Sequence, residues 1–435
     1  MTRLRVFSHE TFRSLHTRNF RLFFGTQLVS QIGNWLTLIA QTLLVLHLTD
    51  SGVAVGLLTA CQFAPILLFG AFAGLIADRS DKRRLLIFVQ FFAMAQSFVL
   101  AALAFMDNPP LIAIYLTAFA GGLALAFDNP ARRAFVVEMV PERDVNNAIS
   151  LNSAVMTSAR VVGPALAGLL IATVGYSWAF ALDGVSYLAV IAGLWMMNPA
   201  ELRPAPITER GKGQVRAGFA YVRRVPELWI PLVMMAVVGT LAFNFQVVMP
   251  LLVKRTFDGD DTMFTLLFSV ISIGSLIGAL STARRTHITL RHLVVASGAF
   301  GVTMLVLAVT PSLAWTFPIG MAVGWSSIAF LTASTAIVQL RAAPEMRGRV
   351  LALQAIVFLG STPIGGPILG VVSQAFGPRA GIALGGVAAL AAAGFGIVAG
   401  RRAVAREAAG STEHGSRAGC ARGDSNPHTL AGTGT

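Results

Sequence analysis

Gly74-Leu75-Ile76-Ala77-Asp78-Arg79-Ser80-Asp81-Lys82-Arg83-Arg84 crowds six charged side chains into eleven residues. On either side charge disappears: residues 53–76 and 85–106 are apolar runs, each long enough to cross a bilayer, which takes ~20 mostly apolar residues. Backbone polar groups find no water in hydrocarbon, so runs of this kind are helices rather than open strands. The charged stretch is then a short turn sending the chain back into the membrane. Its cations hold it on the cytoplasmic side, and Gly74 lets two helices approach closely.

Working outward, the same pattern recurs along the chain. Apolar runs cover residues 20–47, 53–76, 85–106, 111–128, 147–172 and 177–197, then 229–253, 262–283, 292–310, 314–338, 349–374 and 379–399. Six fall on each side of a polar, basic segment from Asn198 to Leu228. Hydrophobic residues make up 55% of the chain and charged ones 12%, about half the charged share of a soluble domain. The expectation is an all-α integral membrane protein of twelve transmembrane helices in two pseudo-symmetric six-helix bundles. Residues 1–197 form the first bundle, 198–228 a cytoplasmic linker ending in an amphipathic helix, 229–400 the second bundle and 401–435 a disordered cytoplasmic tail. An internal repeat supports the division: Pro141, Glu142, Gly163 and Pro164 recur as Pro344, Glu345, Gly366 and Pro367, each 203 residues later. Parallel repeats of six spans suit a transporter in which one half tilts against the other.

Lysine and arginine set the orientation. With a cytoplasmic N-terminus, 29 of the 33 basic residues fall on the inner side, Lys254, Arg255 and Arg379 fall outside, and Arg160 lies within a span. Both termini and the central linker are therefore expected in the cytoplasm, with the protein in the inner (plasma) membrane. The net charge of +13 belongs to this topology and to anionic headgroups, not to nucleic acid. Cys61 and Cys420 lie too far apart in the plan to pair, and neither suggests a metal site. The basic N-terminal run lacks a short apolar core with a cleavage site, so the first span is expected to be retained.

A second block of motifs reads Ala126-Phe127-Asp128-Asn129-Pro130-Ala131-Arg132-Arg133, followed by Ser158-Ala159-Arg160-Val161-Val162-Gly163-Pro164-Ala165-Leu166-Ala167-Gly168. Together with Asn244-Phe245-Gln246-Val247-Val248-Met249-Pro250, these stretches resemble the major facilitator superfamily, most of all its bacterial branch of enterobactin, macrolide and multidrug exporters. The loop after the second span resembles that family's signature through Gly74, Asp78, Arg79, Lys82, Arg83 and Arg84. Asp81 stands where the family usually has glycine. The block around Gly163 and Pro164 resembles the antiporter motif of the fifth helix. The resemblance implies proton-driven export, with Gly74, Asp78, Arg79, Lys82, Arg83, Asp128, Gly163 and Pro164 governing the conformational change. It also implies a carboxylate and cation relay joining Asp128 to Asp78 and Lys82, although Asp128 also reads as an ordinary helix-end charge. The corresponding loop of the second half keeps Arg284 and Arg285 without an aspartate.

Arg160 and Asp183 are the charges set deepest in the spans. A charge at the bilayer centre costs at least ~2.5 kcal/mol, so it faces a cavity or a partner. A direct or water-bridged pair between the two is one arrangement, and a structural bond to backbone carbonyls is another. Asp183, Asp128 and Arg160 are the proton-coupling candidates. Gln31 and Asn34 in the first span, and Asn244 and Gln246 in the seventh, are candidates for lining the substrate cavity, since these spans line it in the family. Interhelical hydrogen bonding is their alternative role.

The function expected is secondary active export, by alternating access, of an amphipathic small organic molecule such as a drug, antibiotic or siderophore. Protons are the coupling ion, no cofactor or metal is needed, and a monomer in the lipid bilayer is the expected form. No G-x-x-x-x-G-K-[ST] loop offers an ATP site, and neither H-E-x-x-H nor G-x-S-x-G suggests an enzyme. An importer of a small metabolite shares the topology and stays open. A non-transporting membrane sensor stays open too, though it would be expected to carry a soluble output domain.

Overall fold

The computed structural model describes residues 11–203, 214–283 and 288–421. Arg284 and Arg285, the middle of the linker and the end of the tail lie outside the described residues. Within them the chain is helical throughout: α1 (Arg18–Thr49), α2 (Gly52–Arg79), α3 (Lys82–Ala104), α4 (Leu111–Glu138), α5 (Val145–Trp195), α6 (Gln214–Arg224), α7 (Pro226–Leu241), α8 (Phe245–Phe257), α9 (Asp261–Ala283), α10 (Leu290–Ala308), α11 (Leu313–Arg341), α12 (Pro344–Phe376) and α13 (Pro378–Ala421). Eleven helical stretches are long and apolar enough to cross a membrane.

One of the eleven crosses twice. As a single rod, the 51 residues of α5 would extend roughly 76 Å, far beyond a hydrocarbon core of ~30 Å. The rod breaks at Gly175, whose φ of 82° and ψ of 175° are open to glycine and not to other residues. Both limbs return to the foot of α1. At the start of α5, Asn147 Oδ1 accepts from Ser14 Oγ at 2.7 Å; just past its end, Asn198 exchanges two hydrogen bonds with Asn19. Twelve crossings result.

The seventh crossing differs from the continuous run expected at 229–253. It is two helices, α7 and α8, separated at Ala242–Asn244. In an unbroken helix the Thr240 carbonyl would take the Asn244 amide; instead the Asn244 side chain donates to it at 2.7 Å. Pro250 weakens the following turn by removing another donor. The last helix also departs from expectation, running on to Ala421 past the tail boundary at 401, through a sequence rich in good helix formers.

Three apolar cores show how the halves meet. The largest draws on both halves, joining Leu36 to Leu46, Val55, Leu58 and Phe180 to Met234, Val248, Leu252, Phe264, Phe268 and Leu369. A second core lies wholly in the first half, around Phe20, Phe23, Leu86, Phe135 and Leu194. A third lies wholly in the second half, around Val222, Leu228, Leu232, Val338 and Val350, where α6 packs and the Tyr221 hydroxyl accepts the Ala343 amide at 3.1 Å. The shared core sits toward Asp50. The separate ones sit at the opposite end, which carries Lys82, Arg143, Arg223 and Arg341 and is called the basic end below. Large apolar side chains such as Leu68, Phe88, Leu116 and Val295 are exposed around the outside, as lipid contact requires.

Candidate functional site

At the Asp50 end the two halves are pressed together through small residues. Gly52 and Gly56 of α2 face Gly366 and Gly370 of α12, where a Cβ on Gly56 would meet Pro367 Cα at 3.0 Å. The related pair of helices, α5 and α9, makes the matching contact through Gly168 and Thr265. Absence of side chains lets the backbones approach closely where no hydrophobic driving force acts between helices. Polar bonds close the rim: Tyr176 donates to the Asp261 carboxylate, the Gly52 amide donates to Gln374 Oε1 at 2.8 Å, and Arg255 bonds the backbone and the carboxylate of Asp50. The rings of Trp35 and Phe268 meet across the halves with centroids 6.2 Å apart.

Toward the basic end this interface opens. Leu67 of α2 packs against Gly360 of α12; on the same face nearer the basic end Ala71 is exposed, and nothing lies within 4 Å of a Cβ placed on Gly74. The structure thus holds a seal at one end and an opening at the other.

Around the middle of the first half the polar side chains fall into separate clusters. Asp183, 1% exposed, accepts from Thr37 Oγ1 at 2.7 Å, Ser97 Oγ at 2.8 Å and, more weakly, Ser186 Oγ at 3.4 Å. Three crossings (α1, α3 and the second limb of α5) are tied together at this carboxyl. Gly33 makes room for it, since a Cβ there would collide with the carboxylate. Asp128 is bound by Arg132, one turn on in α4, through two hydrogen bonds of 2.7 Å, and by Gln90 at 2.7 Å. Arg160 makes no hydrogen bond or ion pair with the described residues; its guanidinium lies 5.6 Å from the Trp35 ring centroid, and its buried Nε has no partner. Of the four amide candidates, Asn34 accepts from the Tyr187 hydroxyl at 2.8 Å and Gln31 makes a long 3.5 Å bond to Gln27. Asn244 spends its NH2 on the break in the seventh crossing and leaves Oδ1 buried and unpartnered. Gln246, partly exposed, has no hydrogen bond with the described residues.

Lys82, Arg83 and Asp81 of the charged turn bond within the first half. Lys82 pairs with Glu138 at the end of α4 at 2.8 Å, and Arg83 donates to the carbonyls of Leu194 and Trp195 at 2.7 and 3.2 Å, where a helix C-terminus attracts cations. Asp81 caps α3 by accepting the Arg84 amide at 3.1 Å. Its φ of −60° shows that a residue other than glycine fits this turn without strain. Arg79 is exposed, and Gly163 packs against Trp35 with Pro164 beside it in α5.

A sequence profile described as transmembrane secretion effector, MFS_3, matches residues 9–416. The chain belongs to this family. It is 24% identical to the staphyloferrin A transporter of Staphylococcus aureus over 263 residues, 60% of this chain and 66% of that one. With macrolide efflux protein A of Streptococcus pyogenes it shares 24% over 379 residues, 84% of this chain and 91% of the relative. The enterobactin exporter EntS of Escherichia coli is 22% identical over 381 residues, 87% and 89% of the two chains. Among solved structures, a bacterial homolog of the human lysosomal transporter Spinster, in an inward-facing and occupied conformation, superposes with a TM-score of 0.70 at 17% identity, covering 88% of this chain and 96% of that one. The chain is a multi-pass membrane transporter of the major facilitator fold.

Within this transporter, two arrangements expected from sequence are corrected. Arg160 and Asp183 do not pair, because α1 runs between them: its Gly33 faces Asp183 while Ile32 and Trp35 face Gly163 on the other side. Asp128 does not reach Lys82, because α4 continues to Glu138 and supplies both Arg132 for Asp128 and Glu138 for Lys82. The contacts of the rim residues Asp50, Tyr176, Arg255, Asp261 and Gln374 have no signal in the sequence, since each sits near a helix end or break and its partner is distant in sequence. The signal that could have found Arg132 was the i, i+4 spacing from Asp128 within the quoted motif.

Proposed function

We propose that this transporter exports a small amphipathic organic molecule from the bacterial cytoplasm by alternating access, driven by proton entry and without a cofactor. The observation that carries the reading is the pair of bundles sealed at the Asp50 end and parted at the basic end. The positive-inside bias puts the basic end, both termini and the linker in the cytoplasm of the inner membrane, so the opening faces the cell interior. Rocking about the shared core would close it and expose the same cavity outside. The names of the relatives, a macrolide efflux protein and an enterobactin exporter, support an antibiotic or siderophore as the kind of cargo.

Asp183 is the proposed proton site. It lies at the junction of three crossings and, among the described residues, is held by hydroxyl groups alone with no cation to fix its charge. Gain of a proton there changes the electrostatic balance of helices that must move together. Reversing a 1:99 population takes ~5.5 kcal/mol of differential binding, and a buried carboxyl that is ionised in one state and neutral in the other supplies part of it. Asp128 is a poorer site because Arg132 compensates it. Cargo and protons are the expected partners of a monomeric chain.

Counterflow into vesicles reconstituted with the full chain, over a panel of antibiotics and siderophores, tests the proposal. Uphill uptake into the vesicles that depends on an outwardly directed proton gradient, with the lumen acidic, is expected. An active preparation indifferent to that gradient overturns the antiport; uptake lost, rather than cargo retained, on deletion from cells overturns export.

A further inference from the structure

Arg160 stands apart from every other charge in the membrane interior. Arg132 is neutralised by Asp128, and Asp183 lies behind α1. The second half offers nothing to compensate it: residues 228–253, 262–283, 293–310, 314–338 and 350–374 contain no Asp, Glu, Lys or Arg. A guanidinium stays cationic under all physiological conditions, so it cannot escape the cost of burial by losing its proton. A cation kept at mid-membrane without a protein partner needs water or a ligand instead.

The direction of the side chain shows which. In a helix turning roughly 100° per residue, Arg160 is about half a turn round from Val162 and Leu169, which are 46% and 59% exposed and mark the lipid side. It therefore points inward, between α1, reached through Gly163, and the second half, reached through Gly168. Met156 and Ser153, one and two turns nearer the basic end on the same side, are exposed, so the opening reaches up to the guanidinium. Immediately beyond it the Trp35–Phe268 pair and the Gly168–Thr265 contact form the seal. Arg160 is thus the charged floor of the opening, flanked by an aromatic face.

We propose that the cargo is an organic anion with a flat apolar body, its anionic group held by Arg160 and its body stacked against Trp35. This rests on the transporter reading above and narrows it to one charge class. The guanidinium provides a planar fork of donors for a carboxylate or similar group, and a charge-assisted bond formed away from bulk water is the strong kind. The Trp35 ring beneath it adds apolar contact. The missing protein carboxylate is the feature that makes the site selective: a cationic cargo would meet an uncompensated positive charge, and a neutral one would leave it desolvated and unpaired.

The full chain in lipid nanodiscs can be titrated with three probes that share one fluorophore: dansylglycine (anionic), dansylglycinamide (neutral) and dansylcadaverine (cationic), read by energy transfer from tryptophan. The anion is expected to bind about tenfold or more tightly than the other two, and Arg160→Gln is expected to bring it down to the neutral probe's level. Arg160→Lys, which keeps the charge but loses the fork, should keep the preference for the anion while weakening it about threefold; it carries the test if Arg160→Gln does not fold. Charge-blind binding, preference for the cation, binding of none of the three, or a loss in Arg160→Lys shared equally by all probes overturns the inference. Flux of the same probes in reconstituted vesicles separates the two readings. Charge-selective binding without flux sinks the transporter reading alone, and charge-indifferent flux sinks this inference alone.

Discussion

The hydroxyl of Tyr176, at the turn between the two limbs of α5, donates a hydrogen bond to the carboxylate of Asp261, at the start of α9, and so fastens the first half of the molecule to the second. The bond lies on the rim that also carries Arg255 and Asp50, and every one of these contacts must part for the Asp50 end to open. A hydrogen bond to a charged group is worth roughly 1.5–3 kcal/mol at most, less at a partly solvated rim, so Tyr176→Phe should raise the population open at this end by about three- to tenfold. With Cys61 and Cys420 replaced, a cysteine at Thr265 should then react correspondingly faster with an impermeant maleimide supplied from the Asp50 side. An unchanged rate would mean that the tyrosine bond does not hold the rim.

Beneath the rim the seal is steric. Gly366 presses on Thr59, with a Cβ there only 3.1 Å from the Thr59 Cβ, and Gly56 faces the Gly366 backbone. Gly366→Leu should therefore bar the closed arrangement while leaving the separate cores at the basic end intact. The variant is expected to remain folded and monodisperse, to label freely at a Thr265 cysteine and to lose counterflow by about tenfold or more, since a packed contact cannot absorb an added side chain without displacement. Gly25→Ala, where nothing lies within 4 Å, is the matched control and should transport normally. Normal counterflow by Gly366→Leu would show that this contact is not needed in the cycle.

The contrast between the two sites reflects what sequence can carry. Crossings were legible because each is a continuous property of ~20 neighbouring residues, and the fold-back at Gly175 fell where two apolar runs adjoin. The break at Ala242–Asn244 was not, because it lies inside one apolar run and depends on a single carboxamide replacing a backbone donor at Thr240. Depth singled out Arg160 and Asp183, but no linear pattern tells that α1 passes between them. Tyr176 and Asp261, 85 residues apart at helix ends, carry no periodic signal at all.

Asp183 offers a cleaner separation of chemistry from fold. Asp183→Asn keeps an oxygen to accept from Thr37 and Ser97 but cannot take up a charge, so counterflow without a gradient should persist while the response to an imposed pH gradient is lost. Asp183→Leu removes the acceptor as well and strands the buried Ser97 hydroxyl, at about 1–3 kcal/mol, and the half-buried Thr37 hydroxyl, so it should lower thermal stability where the asparagine variant does not. A gradient response preserved in Asp183→Asn would move proton coupling to another group.

Lys82 and Glu138 make the last prediction, because the turn that resembles the family signature forms this pair within the first half. The two side chains are 10% and 7% exposed and 2.8 Å apart, joining the start of α3 to the end of α4. Removing one partner of a buried pair takes away the other's close counter-charge, an effect of up to about 3–5 kcal/mol, whereas replacing both is far milder. Lys82→Gln and Glu138→Gln should each lower the midpoint of thermal unfolding, and the double variant should recover most of the loss. The non-additivity measures the pair directly, because other effects of each substitution cancel in the cycle. If the two losses simply add, Lys82 is anchored by something other than Glu138.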